Sequence, residues 1–176
     1  MSTAVIEIVL PSDRRELGEL SLLNGDGACL AGPFVAYGKA DNARAAKNGN
    51  RDRDPLIQWG DTPDGTYDVP EIVRTGENTV YVQRSYGPDA MLPIEPVDGP
   101  ALQAKMNGRT GLYIHSGDLA DSGGLRPTYG CVRLSDDDMR SLLEALRLWF
   151  CADDFCSIPT HGLRVLIRPP KEVEDA

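Results

Sequence analysis

The amino-acid sequence predicts a mainly β fold, a sandwich or barrel-like mixed sheet with one main α-helix, and three observations support it. Short apolar or alternating runs of strand length recur from residues 4–10 to residues 163–168. Turn residues separate them, and the NGDG sequence of residues 24–27 is typical of a hairpin. Residues 136–149 instead carry apolar side chains at helical spacing. A chain of 176 residues can bury one core, so we expect a single domain over residues 1–176.

The first sixty residues combine strands with one polar segment. Residues 4–10 predict an edge strand rather than a signal peptide, because Glu7 interrupts the apolar run and no basic segment precedes it. The runs on either side of the hairpin turn predict two further strands. Residues 39–60 are long, polar and locally basic. A short helix can form there without an apolar stripe to anchor it, and such long loops are usually functional or disordered.

The middle of the chain has weaker patterns. Residues 62–69 indicate a Pro-Asp-Gly turn that enters a strand. Residues 79–85 alternate between apolar and polar types and predict a strand. Residues 89–99 are rich in proline and are expected to be irregular, whereas residues 101–106 predict one or two helical turns.

The helix of residues 136–149 has a recognisable start. Ser135 is a good N-cap, and three consecutive aspartates follow it in the first turn, where they complement the helix dipole. A metal site is a poor explanation of these aspartates, because consecutive helical residues point in different directions. His161 lies in a turn before the last strand and is expected at the surface.

Residues 111–135 contain the side chains that suggest chemistry. A short apolar run ends at His115, and a glycine-rich loop leads from there to Gly130 and Cys131, which begin another apolar run. A cysteine becomes a nucleophile when a base takes its proton and backbone N–H groups hold the resulting oxyanion. The ordinary pKa values of a thiol (~8.5) and an imidazole (~6.5) permit that transfer. Alternatively, Cys131 is a small buried apolar residue and His115 a structural one, and the local sequence leaves both interpretations open.

Two separated motifs resemble one known family. IHSG at residues 114–117 and TYGCVRLS at residues 128–135 are similar to the catalytic motif of the YkuD family of L,D-transpeptidase catalytic domains. The GDTPDGTYDV sequence of residues 60–69 resembles that family's Thr-Pro turn, and the helix after the cysteine also matches. The resemblance covers roughly residues 17–169. The positions that fall on the catalytic pattern are His115, Ser116, Thr128, Gly130, Cys131, Val132 and Arg133.

The resemblance implies acyl transfer through a thioester on Cys131. His115 would be the base, and Ser116 would orient it through its backbone carbonyl. The N–H groups of Tyr129, Gly130 and Cys131 are the expected oxyanion donors.

One position departs from the family pattern, which usually has histidine where this chain has Tyr129. Tyrosine can donate a hydrogen bond but does not change charge near neutral pH, and it can also simply pack over the site. Thr128 and Arg133 are assigned to substrate binding. Arg133 could equally brace the loop instead of binding a substrate carboxylate.

The implied substrate is the peptidoglycan stem peptide (a muropeptide), used in transpeptidation, D-amino-acid exchange or L,D-carboxypeptidase cleavage, with no cofactor and no metal. Residues 39–60 form either a lid that contacts acidic groups of the stem or, as we favour, a solvated insertion.

Two other functions stay open. One is a cytosolic thiol amidase or acyltransferase that acts on another amide, and the other is a degenerate binding module, which the presence of both His115 and Cys131 disfavours.

The net charge and the cysteine content of the chain bear on its binding partners and its cellular compartment. A net charge of −9 disfavours nucleic acid, and no apolar run reaches the length of a membrane span. Because no signal peptide is recognisable, action in the periplasm or cell wall would need delivery outside the Sec route, as in antibacterial effectors of this family, with an immunity or secretion partner. Cys151 and Cys156 could form a disulfide in an oxidising compartment, but two reduced thiols are favoured, and their spacing does not suggest a metal site.

Overall fold

The computed structural model describes residues 2–171, which form two mixed sheets and four α-helices. The strands are β1 (Ala4–Val9), β2 (Gly18–Asn24), β3 (Cys29–Ala36), β4 (Gly65–Asp68), β5 (Val73–Arg74), β6 (Ala90–Pro93), β7 (Glu95–Asp98), β8 (Tyr113–His115), β9 (Val132–Arg133) and β10 (Leu163–Arg168). The helices are α1 (Asn42–Lys47), α2 (Gln83–Tyr86), α3 (Gly99–Met106) and α4 (Asp136–Trp149). The predicted mainly β fold with one main helix is confirmed.

The larger sheet has the strand order β3-β2-β1-β10-β4-β7. The predicted hairpin joins β2 and β3, and the predicted turn at residues 62–69 leads into β4. The prediction that residues 4–10 form an edge strand was wrong, because β1 lies inside the sheet between β2 and the parallel strand β10. That parallel partner comes from the other end of the chain, so no local pattern could indicate it.

The smaller sheet has the order β5-β6-β8-β9, with β8 and β9 parallel. The expectation that residues 89–99 are irregular was also wrong, because they supply β6 and β7. Proline lacks a backbone donor and is therefore tolerated mainly on edge strands. Pro96 satisfies this condition, because β7 is the outermost strand of the larger sheet.

The alternating run at residues 79–85 does not form the strand predicted for it. The segment bends at residues 79–81 and enters helix α2. Val80 is 86% exposed and Val82 is 53% exposed, so the apolar positions of the alternation face solvent instead of a core. The Thr79 hydroxyl donates to the Gly76 carbonyl (3.1 Å) and closes the bend. The alternation of apolar and polar residues therefore predicted a strand at a place where no neighbouring strand of residues 2–171 pairs with the segment.

Helix α4 anchors the smaller sheet to the core. The Ser135 hydroxyl accepts from the Asp138 N–H (3.1 Å), as expected of the N-cap. One face of the helix is buried in a core that contains residues from both sheets, and its members are Met139, Leu142, Leu143 and Leu146. Burial of such side chains stabilises the fold by about 2 kcal/mol each. Because α4 follows β9 directly, this packing also fixes the strand that carries the catalytic motif.

Residues 39–60 are ordered by polar contacts rather than by an apolar stripe. Asp61 accepts from the Ala40 N–H (2.7 Å) and from Arg53 (3.1 Å). The Asn50 side chain donates to the Asp54 carbonyl (3.0 Å), and Ala45 is the buried residue of α1. The segment is thus a folded part of the molecule.

The remaining features concern the surface. Cys151 and Cys156 are exposed free thiols, as favoured, and His161 lies exposed in a short turn before β10. Within residues 2–171, no helix combines the length and the apolar character needed to cross a bilayer.

Candidate active site

Strands β8 and β9 bring the two reactive side chains together. Ile114 lies opposite Val132, and His115 lies opposite Arg133. Side chains alternate between the two faces of a strand. Since Ile114 and Val132 point into the core, His115 and Cys131 fall on the opposite face of neighbouring strands.

Both side chains line one cavity of about 160 Å³. Cys131 is 6% exposed and His115 is 3% exposed, so each presents a small surface to this cavity while its body is enclosed. Aromatic and cationic side chains line the rest of it, among them Tyr86, Tyr113, Tyr129, Arg126 and Arg133.

The imidazole ring of His115 is held by the next residue. Its Nδ1 lies 2.8 Å from the Ser116 carbonyl oxygen. A carbonyl only accepts hydrogen bonds, so Nδ1 carries the proton and Nε2 carries the lone pair. The ring of Tyr86 lies at a centroid distance of 5.2 Å and supports the imidazole from the side. The contact expected of Ser116 is therefore present, and it leaves Nε2 available as a base.

The thiol of Cys131 is protonated at neutral pH. Burial raises its pKa to about 11, although a backbone hydrogen bond at Tyr113 and the charges of Arg109 and Arg133 act in the opposite direction. The sulfur lies 3.6 Å from the Gly111 carbonyl, to which the S–H group can donate. The resting nucleophile is thus a neutral thiol.

The imidazole of His115 is neutral as well. Burial and the nearby charge of Arg133 lower its pKa to about 4, against the effect of the Ser116 and Ser85 carbonyls. At neutral pH the site therefore holds a neutral base beside a neutral thiol. This arrangement favours proton transfer at the moment of attack over a preformed thiolate–imidazolium pair.

This charge state predicts the pH dependence of thiol alkylation. We expect the rate of Cys131 alkylation by iodoacetamide to rise about tenfold per pH unit from about pH 7 to about pH 10, because the thiolate fraction grows in that proportion below the pKa. The rate would be measured by mass spectrometry on the Cys131 peptide, with the exposed Cys29 as internal reference. A rate that is already constant from about pH 6 to about pH 8 would indicate a preformed ion pair instead.

Thr128 braces the catalytic turn. Its hydroxyl accepts from the Gly130 N–H (3.0 Å) and donates to the Cys131 carbonyl (2.9 Å). Thr128 also lines the cavity, and its assignment to substrate binding stays a prediction beside this bracing role. The Gly130 N–H is engaged too, so of the three predicted oxyanion donors only the N–H groups of Tyr129 and Cys131 stay candidates.

Gly130 occupies a position that requires glycine. Its φ of +111° lies in the region that side chains disfavour. An added Cβ would lie 2.1 Å from a guanidinium nitrogen of Arg109 and 2.3 Å from the Gly60 carbonyl oxygen. The Thr62 hydroxyl, from the turn before β4, donates to the Gly130 carbonyl (2.9 Å). The two sequence motifs are thus in direct contact.

Arg109 is a site residue that the sequence analysis missed. It is 3% exposed, and its guanidinium donates to the carbonyls of Gly60 (2.7 Å), Asp61 (2.8 Å) and Pro55. An arginine after an Asn-Gly turn is ordinarily a surface residue, so the sequence contains no signal of this burial. The side chain joins the back of the catalytic turn to the end of the segment 39–60.

Arg133 is the second buried cation beside the thiol. It is 4% exposed and donates to the carbonyls of Asp118 (3.3 Å), in the loop after β8, and Ser85 (3.3 Å), in helix α2. Among residues 2–171, neither Arg109 nor Arg133 has a carboxylate within 4.0 Å. Both charges favour the thiolate form of Cys131. The site therefore contains cations that stabilise negative charge when it develops on sulfur.

Tyr129 connects the turn to the segment 39–60. Its ring is 50% exposed, and its hydroxyl accepts from Arg44 (2.7 Å). The Arg44 guanidinium carbon lies 4.7 Å from the centroid of the Tyr129 ring, and the centroid of the Trp59 ring lies 5.6 Å from the same centroid. Tyr129 therefore has specific partners at the cavity mouth and does more than pack over it.

The described residues contain no group of three or more histidine, cysteine, aspartate or glutamate side chains that could hold a metal ion. The chemistry derived above uses only protein groups.

A family model described as the L,D-transpeptidase catalytic domain (YkuD) matches residues 19–166, which is most of the chain. The comparison with curated proteins found no match.

Proposed function

The chain belongs to the YkuD family of L,D-transpeptidase catalytic domains, which are cysteine-dependent acyltransferases, and from this premise we propose that it transfers the acyl group of peptidoglycan stem peptides through a thioester on Cys131. The observation that carries the proposal is the shared cavity of Cys131 and His115 on neighbouring strands. The Ser116 carbonyl, which fixes the ring with Nε2 unprotonated, adds the third part of the relay.

Acylation of the enzyme begins with proton transfer from the Cys131 sulfur to Nε2 of His115. The sulfur attacks the carbonyl carbon of the amide, and the oxyanion is held by the N–H groups of Tyr129 and Cys131. Each such donor typically contributes about 3 kcal/mol to the barrier reduction. The C–N bond then breaks, and the imidazolium gives its proton to the leaving amine, so the products are a thioester and a free D-amino acid.

Deacylation reverses these roles. An incoming amine loses its proton to Nε2 of His115 and attacks the thioester carbonyl, which forms a new amide and returns the thiol. Attack by an amine of a second stem forms a cross-link, and attack by a free D-amino acid exchanges the terminal residue. Attack by water in place of the amine hydrolyses the thioester, which is carboxypeptidase activity. The buried cations Arg109 and Arg133 stabilise the sulfur whenever it carries negative charge.

We further propose that the chain acts as one domain in the periplasm or cell wall, as an exported antibacterial effector delivered outside the Sec route. The support is chemical: the substrate lies in that compartment. An immunity protein that blocks the cavity is the matching partner. Action in the periplasm is tested by toxicity: directing the wild type to the periplasm should lyse cells, whereas the Cys131→Ala variant should not.

The experiment that tests the activity uses purified stem tetrapeptides. Wild-type protein is expected to release the terminal D-residue, or to replace it with an added D-amino acid, and mass spectrometry follows both products. Peptide mapping of the trapped enzyme should place the acyl mass on Cys131. Protein alkylated beforehand at Cys131 is the control.

The outcomes separate the competing functions. Turnover of simple amides but not of stem peptides would support a thiol amidase that acts on another substrate. Binding of stem peptides without any product, and without acylation by a carbapenem, would support a degenerate binding module and overturn the proposal.

A further inference from the structure

A cationic groove lies beside the catalytic cavity. It shares Arg126, Pro127 and Tyr129 with that cavity, and helix α1 contributes Arg44 and Lys47 to its other side. The groove and the cavity are therefore adjacent, with Tyr129 in the lining of both. Nothing in the acyl-transfer steps above uses it.

The charge of the groove contrasts with that of the whole chain. Within residues 2–171, none of Arg44, Lys47 and Arg126 has a carboxylate within 4.0 Å. The single acidic residue of the groove, Asp41, serves as the N-cap of α1 and accepts from the Arg44 N–H (2.8 Å). In a protein of net charge −9, three unpaired cations here make a local site for an anion.

Tyr129 holds one of these cations in place. Its hydroxyl accepts from Arg44 and its ring lies against the guanidinium; a guanidinium has five N–H donors, and within residues 2–171 this is the one hydrogen bond that the Arg44 side chain donates. A guanidinium held in this way loses less freedom on binding and is suited to a carboxylate, with which it can form paired hydrogen bonds. The tyrosine thus gives the mouth of the cavity a fixed cation.

The surface near the start of α4 has the opposite charge. A separate depression there is lined by Asp118, Asp136 and Asp137. A peptide that carries carboxylates would be repelled from that side and attracted toward Arg44 and Lys47. A peptide that extends beyond the cavity continues along a neighbouring surface, and the groove of Arg44 and Lys47 is adjacent to it.

We infer that the groove of Arg44, Lys47 and Arg126 binds a free carboxylate of the stem peptide outside the cleaved bond, and that Tyr129 positions Arg44 for this contact. The inference rests on the proposed function and adds to it a preference for substrates with a free carboxylate. Stems whose glutamate carboxyl is amidated are consequently poor substrates.

The test compares two stem tetrapeptides, one with a free glutamate carboxylate and one with the carboxamide. For the wild type, we expect a KM about tenfold lower for the carboxylate, with similar kcat, because a few exposed charge pairs give that difference in binding. Lys47→Glu, which changes no hydrogen bond described here, should raise KM for the carboxylate stem about tenfold and leave that for the carboxamide within about twofold. Arg44→Gln should act in the same direction.

Two further variants control for net charge and for the role of Tyr129. Arg51→Gln combined with Lys105→Gln removes two cations outside the groove, and both KM values should stay at the wild-type level. Tyr129→Phe keeps Arg44 but removes its anchor, so it should raise KM for the carboxylate stem by about threefold. Equal KM values for the two stems in wild type, or a carboxylate-stem KM that Lys47→Glu leaves unchanged, would overturn the inference while the proposed function stands. Absence of turnover with both stems would overturn the proposed function and the inference with it.

Discussion

Replacement of His115 by glutamine is expected to lower kcat/KM on stem peptides by about 10³-fold, a typical loss for a missing general base. The reason lies in the resting charge state, since the Cys131 thiol has a pKa near 11 and almost no thiolate exists at neutral pH without a base. Glutamine can still meet the Ser116 carbonyl through its amide, but it cannot accept a proton. Turnover would be measured by release of the terminal D-amino acid, with Cys131→Ala as the inactive reference.

Alkylation distinguishes the loss of a base from a collapse of the site. At about pH 10 solvent removes the thiol proton, so iodoacetamide should modify Cys131 in the His115→Gln variant within about threefold of the wild-type rate. Retained alkylation together with lost turnover supports the assigned role. If His115→Gln keeps more than about a tenth of the wild-type kcat/KM, His115 is not the general base.

The second large effect is expected at Arg109. Its replacement by methionine removes a buried cation from beside the thiol, so the pKa of Cys131 should rise further, and alkylation at about pH 9 should slow about tenfold. Three carbonyls also lose their donor, which destabilises the segment 39–60 by about 3 kcal/mol. Turnover should fall by about 10²-fold, because both the thiolate and the position of Gly130 depend on this side chain.

A matched variant separates the charge effect from the structural one. Arg14 is also buried and donates to the carbonyls of Leu10 (3.1 Å) and Thr62 (3.2 Å), yet its charge is not among the causes of the Cys131 shift. Arg14→Met should lose comparable stability in urea unfolding and keep the wild-type pH profile of alkylation. Arg109→Lys should retain much of the thiol reactivity. Identical alkylation profiles for Arg109→Met and wild type would remove Arg109 from the electrostatics of the site.

Local patterns predicted those elements whose stability depends on neighbours in sequence. The hairpin of β2 and β3, the N-cap Ser135 and the buried face of α4 follow from turn chemistry and helical spacing, and all are present. The same kind of reasoning was wrong at residues 79–85, where the alternating apolar residues have no sheet beside them. It was also wrong for β1, whose parallel partner β10 lies at the far end of the chain.

The sequence by itself determined the fold class and the family, and through the family resemblance it proposed the pair His115 and Cys131, because motifs depend on residue types at fixed spacing. Only the tertiary structure decided which polar groups are already engaged and which charges are buried. It assigned Thr128 to the turn, placed Arg109 behind the thiol and joined Tyr129 to Arg44. These contacts span up to 85 positions along the chain. The burial and the electrostatic surroundings of a side chain depend on which residues the fold brings together rather than on its neighbours in sequence.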